Sequence, residues 1–259
     1  MLFVPPPASR GKWADADPFA RRPPETVEVE AGASAAYPRC MELILASASP
    51  RRSALIAGWG IPFRVIPAEG IDEEAVVGEA VHVARTLAGM KAEAVDRALR
   101  GTGRGPEHVV VGADTVVEIA GEILNKPRDP ADARRMLARL SGRVHRVHTG
   151  VAVVRPGGTA RSGAETSEVA FRVLSERDIE EYVASGDAEG KAGAYGIQSG
   201  GRRLVDGFRG CYYNIVGLPL KRLAALLAEA GLRVPMACDC SRHPLWTGGD
   251  GCAVNFPGP

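Results

Sequence analysis

The chain has 259 residues, 45% hydrophobic and 24% charged, the mix of an ordinary globular protein with ample room for a core. Lysine and arginine total 32 against 31 aspartate and glutamate, which excludes a global field able to hold nucleic acid or an anionic membrane. No apolar run approaches the roughly 20 residues that span a bilayer, and the start MLFVPPPASRGKW lacks the pattern of a secretory signal. The five cysteines (Cys40, Cys211, Cys238, Cys240, Cys252) are an odd, scattered set rather than a disulfide framework, so a reducing, cytoplasmic home is expected.

Residues 1–40 carry seven of the 19 prolines with no sustained apolar period, and are expected to be a poorly ordered extension. The working domain is 41–231, opening on an apolar strand at Leu43–Ala46 that gives way to a helix at Pro50. Phe63–Ile66 reads as a second strand, and Val81–Arg100 has helical spacing. His108–Val117 is an apolar strand interrupted by Gly112 and Asp114. Asp129-Pro130 supplies an N-cap and a proline at the first helical position, opening a helix to Leu140. Val144–Val154 and Ser167–Val173 read as strands, and Ser175-Glu176-Arg177-Asp178 as a capping-box variant starting a helix to about Ala184. Leu220–Ala230 closes the domain as a helix, and 232–259 is expected to be an irregular C-terminal tail. Strands interleaved with helices predict an α/β architecture with a mixed sheet.

Several short segments carry chemistry. In Ser47-Ala48-Ser49-Pro50-Arg51-Arg52 two arginines occupy the first turn of a helix, where acids are normally preferred. Docking of a polyanion there relieves the conflict; two solvated arginines on an exposed turn are the alternative. Asp114 lies inside an apolar run, where an unpartnered carboxylate would cost several kcal/mol, so it is paired, metal-bound or at a cleft, unless it simply ends the strand. Gly112 admits a close approach, and Thr115 adds a hydroxyl.

The acidic run Ile71-Asp72-Glu73-Glu74 is either a solvated loop or, with Asp114, a source of oxygen ligands for a hard divalent cation. Lys126 and Lys91 are candidate phosphate partners or exposed lysines, and Gln198 offers paired donor and acceptor groups suited to a base edge. No Gly-x-Ser-x-Gly elbow or Walker-type loop is present. His145 and His148 read as core or surface histidines, and Cys238, Cys240, His243 and Cys252 match no standard zinc spacing.

In this order, Ser47–Arg52, Gly112-Ala-Asp-Thr-Val-Val117, Lys126-Pro-Arg-Asp129, Lys191-Ala-Gly-Ala-Tyr-Gly-Ile-Gln198 and Asn214-Ile-Val-Gly-Leu-Pro-Leu220 resemble the Maf family of nucleoside triphosphate pyrophosphatases across essentially all of 41–230. The resemblance implies a two-lobed α/β fold with a mixed sheet and a central nucleotide cleft, related to the inosine triphosphate pyrophosphatase architecture. It implies cleavage between the α- and β-phosphates with a divalent cation (Mg²⁺ or Mn²⁺). Arg51, Thr115 and Gln198 match the branch that prefers dTTP and UTP; modified pyrimidine triphosphates are further implied substrates, which implies a house-cleaning role, and some members of the family are linked to arrest of cell division. One departure is Gly89, which stands where the family usually has an arginine ahead of Lys91.

The expected roles are catalysis by Asp114, Glu73 and Lys126, and substrate binding by Ser47, Arg51, Arg52, Lys91, Thr115 and Gln198. Asp114 and Glu73 are the expected metal ligands. The expected partner is a nucleoside triphosphate, not nucleic acid or membrane, and the sequence leaves a homodimer open. The alternatives are the same reaction on a methylated or modified purine triphosphate, and a non-catalytic nucleotide-binding regulator of septation.

Overall fold

A computed structural model describes residues 26–27, 41–101, 107–235 and 240–248. Apart from Thr26–Val27, the expected N-terminal extension lies outside the described residues, as do Cys238 and Cys252. The order of elements is β1 (Thr26–Val27), β2 (Met41–Leu45), α1 (Pro50–Ala57), β3 (Phe63–Val65), α2 (Ala80–Gly101), β4 (Glu107–Ile119), β5 (Glu122–Leu124), α3 (Pro130–Leu140), β6 (Val144–Val154), β7 (Arg161–Phe171), α4 (Glu176–Ala184), β8 (Val205–Arg209), α5 (Tyr212–Val216), α6 (Leu220–Glu229) and β9 (Trp246–Gly248).

The strands form one mixed sheet in the order β1-β3-β2-β4-β6-β7-β8-β9, with β5 paired to β4. The α/β class with a mixed sheet is therefore the fold observed. β2 runs parallel to both β3 and β4, while β4, β6, β7 and β8 form an antiparallel series.

Local sequence explains most boundaries. The Asp129 carboxylate accepts from the Asp132 amide at 2.7 Å with Pro130 at the first helical position, as expected for α3. Ser175 and Asp178 form the reciprocal capping box that starts α4. Five elements differ from the sequence expectation. β7 begins at Arg161 rather than Ser167, because its first half is partly exposed and shows no apolar alternation, yet pairs residue by residue with β6. The short elements β5, β8, β9 and α5 follow no periodicity that 3–5 residues could reveal.

Strand parity sorts the core. Val109, Val111, Ala113 and Val117 of β4 face the large core built with α1, α3, α4, α5 and α6, while Val110 and Val116 face α2. Helix α2 crosses β4 and β6 very closely. A Cβ at Gly112 would lie 2.1 Å from the Ala88 carbonyl oxygen, so only glycine permits this crossing. The close approach expected at Gly112 is thus made by another backbone.

Beyond α6, the described part of the C-terminal segment contains a 3₁₀ turn at Cys240–Arg242 and the strand β9, paired in parallel with β8. Cys240 is buried, and its thiol accepts from the Tyr212 amide at 3.2 Å.

Candidate active site

The last β2 residue paired with β4 is Leu45, opposite Val111, and β5 joins β4 only from Val117 onward. Residues 112–116 of β4 therefore have a partner on the β6 side alone, and the chain leaving β2 turns away into α1. A cleft outside the carboxyl end of a parallel strand is where open α/β sheets place ligands. A cavity of about 600 Å³ lies here, the size class of a small-molecule site. All nine residues singled out in the sequence line it: Ser47, Arg51, Arg52, Glu73, Lys91, Asp114, Thr115, Lys126 and Gln198.

Asp114 points toward α2 because it shares parity with Gly112 and Val116. It is 7% exposed, and its Oδ1 accepts from Lys91 Nζ at 2.6 Å, so the buried charge is compensated. The same Nζ lies 2.6 Å from Glu73 Oε1, and Lys126 Nζ lies 3.4 Å from Glu73 Oε2. Glu73 is presented by a local turn in which Asp72 Oδ1 accepts from the amides of Glu74 and Ala75. Burial alone would raise the Glu73 pKa, but the hydrogen bond and charge of Lys91, joined by Lys126, hold it below the usual carboxylate range. Gly89 sits in the interior of α2 and does not prevent Lys91 from reaching both acids.

Thr115, one residue on, points to the opposite face, toward α1 and α5. Its hydroxyl accepts from Arg52 Nη2 at 3.0 Å and lies 3.0 Å from the Thr149 hydroxyl on β6. Arg52 also donates from Nη1 to Ser47 Oγ at 3.0 Å and from Nε to the Gly217 carbonyl at 2.8 Å. Among the described residues three of its five N–H groups are thus committed to protein, and two remain for an anion. Burial pushes its pKa down to about 10, opposed by Asp114 and assisted by Arg51, which leaves it charged at neutral pH. Ser49 and Pro50 hold the N-cap and first helical positions of α1, as expected, but the Ser49 side chain makes no capping bond and no acid lies in the first turn.

The far wall is the loop carrying Gln198. Gly196 there lets three side chains close in: a Cβ in its place would lie 2.9 Å from Gln198 Nε2, Lys191 Cε and Ser199 Oγ, so those side-chain ends would have to shift. Asp187 braces the loop by accepting from Tyr182 (2.7 Å), Lys191 (2.9 Å) and Ser199 (2.8 Å). Burial would raise the Asp187 pKa, and these hydrogen bonds reverse that effect. His145 is a core residue whose Nε2 lies 2.8 Å from the Tyr195 hydroxyl, and burial pushes its pKa down to about 3. His148 is buried as well.

Three cavity or near-cavity residues escape the site reading of the sequence. Lys191 lines the cavity, but the sequence presented it only as the first residue of the Lys191–Gln198 run and gave it no role. Thr149 and Asn214 lie beneath it, both fully buried. A fully buried asparagine is itself a signal, but burial is not visible in the sequence.

The family profile described as Maf-like protein matches residues 42–230. The chain belongs to the Maf family. Among curated relatives of this Maf chain, the dTTP/UTP pyrophosphatase of Symbiobacterium thermophilum is 44% identical over 211 residues, covering 81% of this chain and 99% of that one. The dTTP/UTP pyrophosphatase of Moorella thermoacetica is 48% identical over 196 residues, covering 74% and 97%. That of Ralstonia nicotianae is 46% identical over 198 residues, covering 73% and 94%. Among solved structures, a nucleoside-triphosphatase / dITP/XTP pyrophosphatase from Mycobacterium abscessus overlaps at a TM-score of 0.34 and 17% identity, over 51% of this chain and 74% of that one.

Among the described residues no group of three or more histidine, cysteine, aspartate or glutamate side chains could hold a metal, and no helix is long and apolar enough to cross a membrane.

Proposed function

We propose that this chain hydrolyses nucleoside triphosphates, with dTTP and UTP as substrates, to the monophosphate and pyrophosphate. The observation that carries the reading is one cavity in which two arginines at a helix N-terminus share space with a buried aspartate and its lysine. The names of the curated relatives support the choice of substrate.

Hydrolysis requires water to attack a phosphorus shielded by about four negative charges, so positioning and charge neutralisation supply most of the acceleration. Arg51, the two uncommitted N–H groups of Arg52 and the α1 N-terminus bind the triphosphate, assisted by Lys126 and Lys91. Asp114 accepts the proton of the attacking water. Lys91 holds its Oδ1, and among the described residues no hydrogen bond or ion pair claims Oδ2. The bond from the α-phosphorus to its bridging oxygen breaks, and the pair leaves with pyrophosphate.

A divalent cation fits the donor set. Glu73 and Asp114 are hard oxygen ligands facing one ammonium, so positive charge between them is already accommodated. Magnesium is commonly held by one or two carboxylates together with substrate phosphates. Glu73 and Asp114 would hold Mg²⁺ or Mn²⁺, which supplies charge neutralisation on the phosphate oxygens.

Gln198 presents a donor and an acceptor to the base, and Thr115 contributes at most an accepting lone pair. A reducing, cytoplasmic setting and a house-cleaning role linked to cell-division arrest belong to the same reading.

The test is a panel of nucleoside triphosphates, canonical and modified, incubated with the full chain and Mg²⁺. Monophosphate and pyrophosphate should appear fastest from UTP and dTTP. Equal rates on purines would remove the base-reading role of Gln198, and no turnover of any nucleotide would remove the enzyme.

A further inference from the structure

Beneath Arg52 the hydroxyl groups form a chain whose direction is fixed by chemistry. The Thr149 hydroxyl lies 2.8 Å from the Asn214 main-chain carbonyl, which can only accept, so the single Thr149 proton is spent there. In its 3.0 Å contact with Thr115, Thr149 must therefore accept, and Thr115 donates. With its own proton committed, Thr115 turns lone pairs outward, and one receives the Arg52 Nη2 donor at 3.0 Å. The order is Arg52 to Thr115 to Thr149 to the Asn214 carbonyl.

The far end of this chain is rigidly held. Asn214 is fully buried: its Oδ1 accepts from the Thr149 amide at 3.0 Å, and its Nδ2 donates to the Val147 carbonyl and to Ser167 Oγ, each at 2.9 Å. The short helix α5 is thereby fastened to β6 and β7. Immediately after α5, the Gly217 carbonyl accepts from Arg52 Nε at 2.8 Å. Asn214 thus governs both the Nε and the Nη2 contacts of one guanidinium.

We propose that Thr149 and Asn214 are positioning residues, which polarise Thr115 and lock the plane of the Arg52 guanidinium for phosphate binding. The proposal rests on the pyrophosphatase reading. It also assigns Thr115 a task apart from the base, since its hydroxyl has no proton left to donate to a pyrimidine.

Thr149→Val removes the hydroxyl and keeps the shape. The Thr149 amide still reaches Asn214, and the Asn214 carbonyl keeps the Gly217 amide at 3.0 Å, so the anchoring of α5 survives. The expected result is a fall in kcat on the order of 10-fold with KM changed much less. Rotation about the Arg52 Cζ–Nε bond, read by NMR from exchange between its two Nη signals in nucleotide-free protein, should be faster than in the parent. Thr149→Ser, which keeps the hydroxyl, should restore both.

A folded Thr149→Val protein with parental kcat, or with unchanged Arg52 rotation, overturns the proposal. So does a folded Thr149→Ser protein as impaired as the valine variant. Should the valine variant not fold, Thr149→Ala carries the same two readouts. If the parent itself releases no pyrophosphate, the functional reading fails, whereas an active parent matched by Thr149→Val sinks only this inference.

Discussion

Asp114 and Thr115 are adjacent in the chain, yet the two sides of β4 that they serve are built on different principles. On the α2 side the contacts are ionic, and exposure rises outward: 12% for the Lys91 side chain, 39% for Glu73 and 58% for Lys126. Long side chains held by ion pairs at a cavity wall can exchange partners when phosphates and a cation arrive. On the α5 side the contacts beneath the Arg52 guanidinium are between neutral groups and mostly buried, with each donor matched to one acceptor. Such a network tolerates no exchange, because a buried polar group left unmatched costs about 1–3 kcal/mol. The lesson is a division of labour, in which one face redistributes charge and the other holds Arg52 still.

Asp114→Asn is expected to have the largest effect, since it keeps the shape and removes the proton acceptor. Turnover of UTP under saturating Mg²⁺ should fall by about 10²–10⁴. Parental turnover would mean that the charged side does not contain the base. Arg52→Lys comes next. A single ammonium cannot serve Ser47, Thr115 and the Gly217 carbonyl in the plane that a guanidinium does, so kcat/KM should drop on the order of 10²-fold and the melting temperature should fall. An unaffected melting temperature would show the neutral side to be less interlocked than its hydrogen bonds indicate.

The smallest effect is expected from Glu73→Gln on stability, about 0.5 kcal/mol at pH 7, because its ion pairs are partly solvated. Since the folded Glu73 pKa is depressed, the contribution is present above the unfolded value and is lost as pH falls through the folded one. Urea unfolding of the two proteins should therefore converge on acidification. A deficit that persists at low pH would assign it to packing rather than charge.

Much of this arrangement was legible in the sequence, for identifiable reasons. Asp114 was conspicuous because a carboxylate inside an apolar strand must be compensated, and Arg51-Arg52 because cations are out of place in a first helical turn. Both signals are local violations of rules that the rest of the chain obeys. Thr149 and Asn214 violate nothing locally, and their importance arises from a cross-strand register and a five-residue helix. The early start of β7 was hidden likewise, because its pairing with β6 is a tertiary fact.

The early departure of β2 has one more consequence. Were β2 to continue alongside residues 112–116 of β4, its backbone would occupy the opening. Function in this molecule thus depends on a strand that stops before its neighbour does.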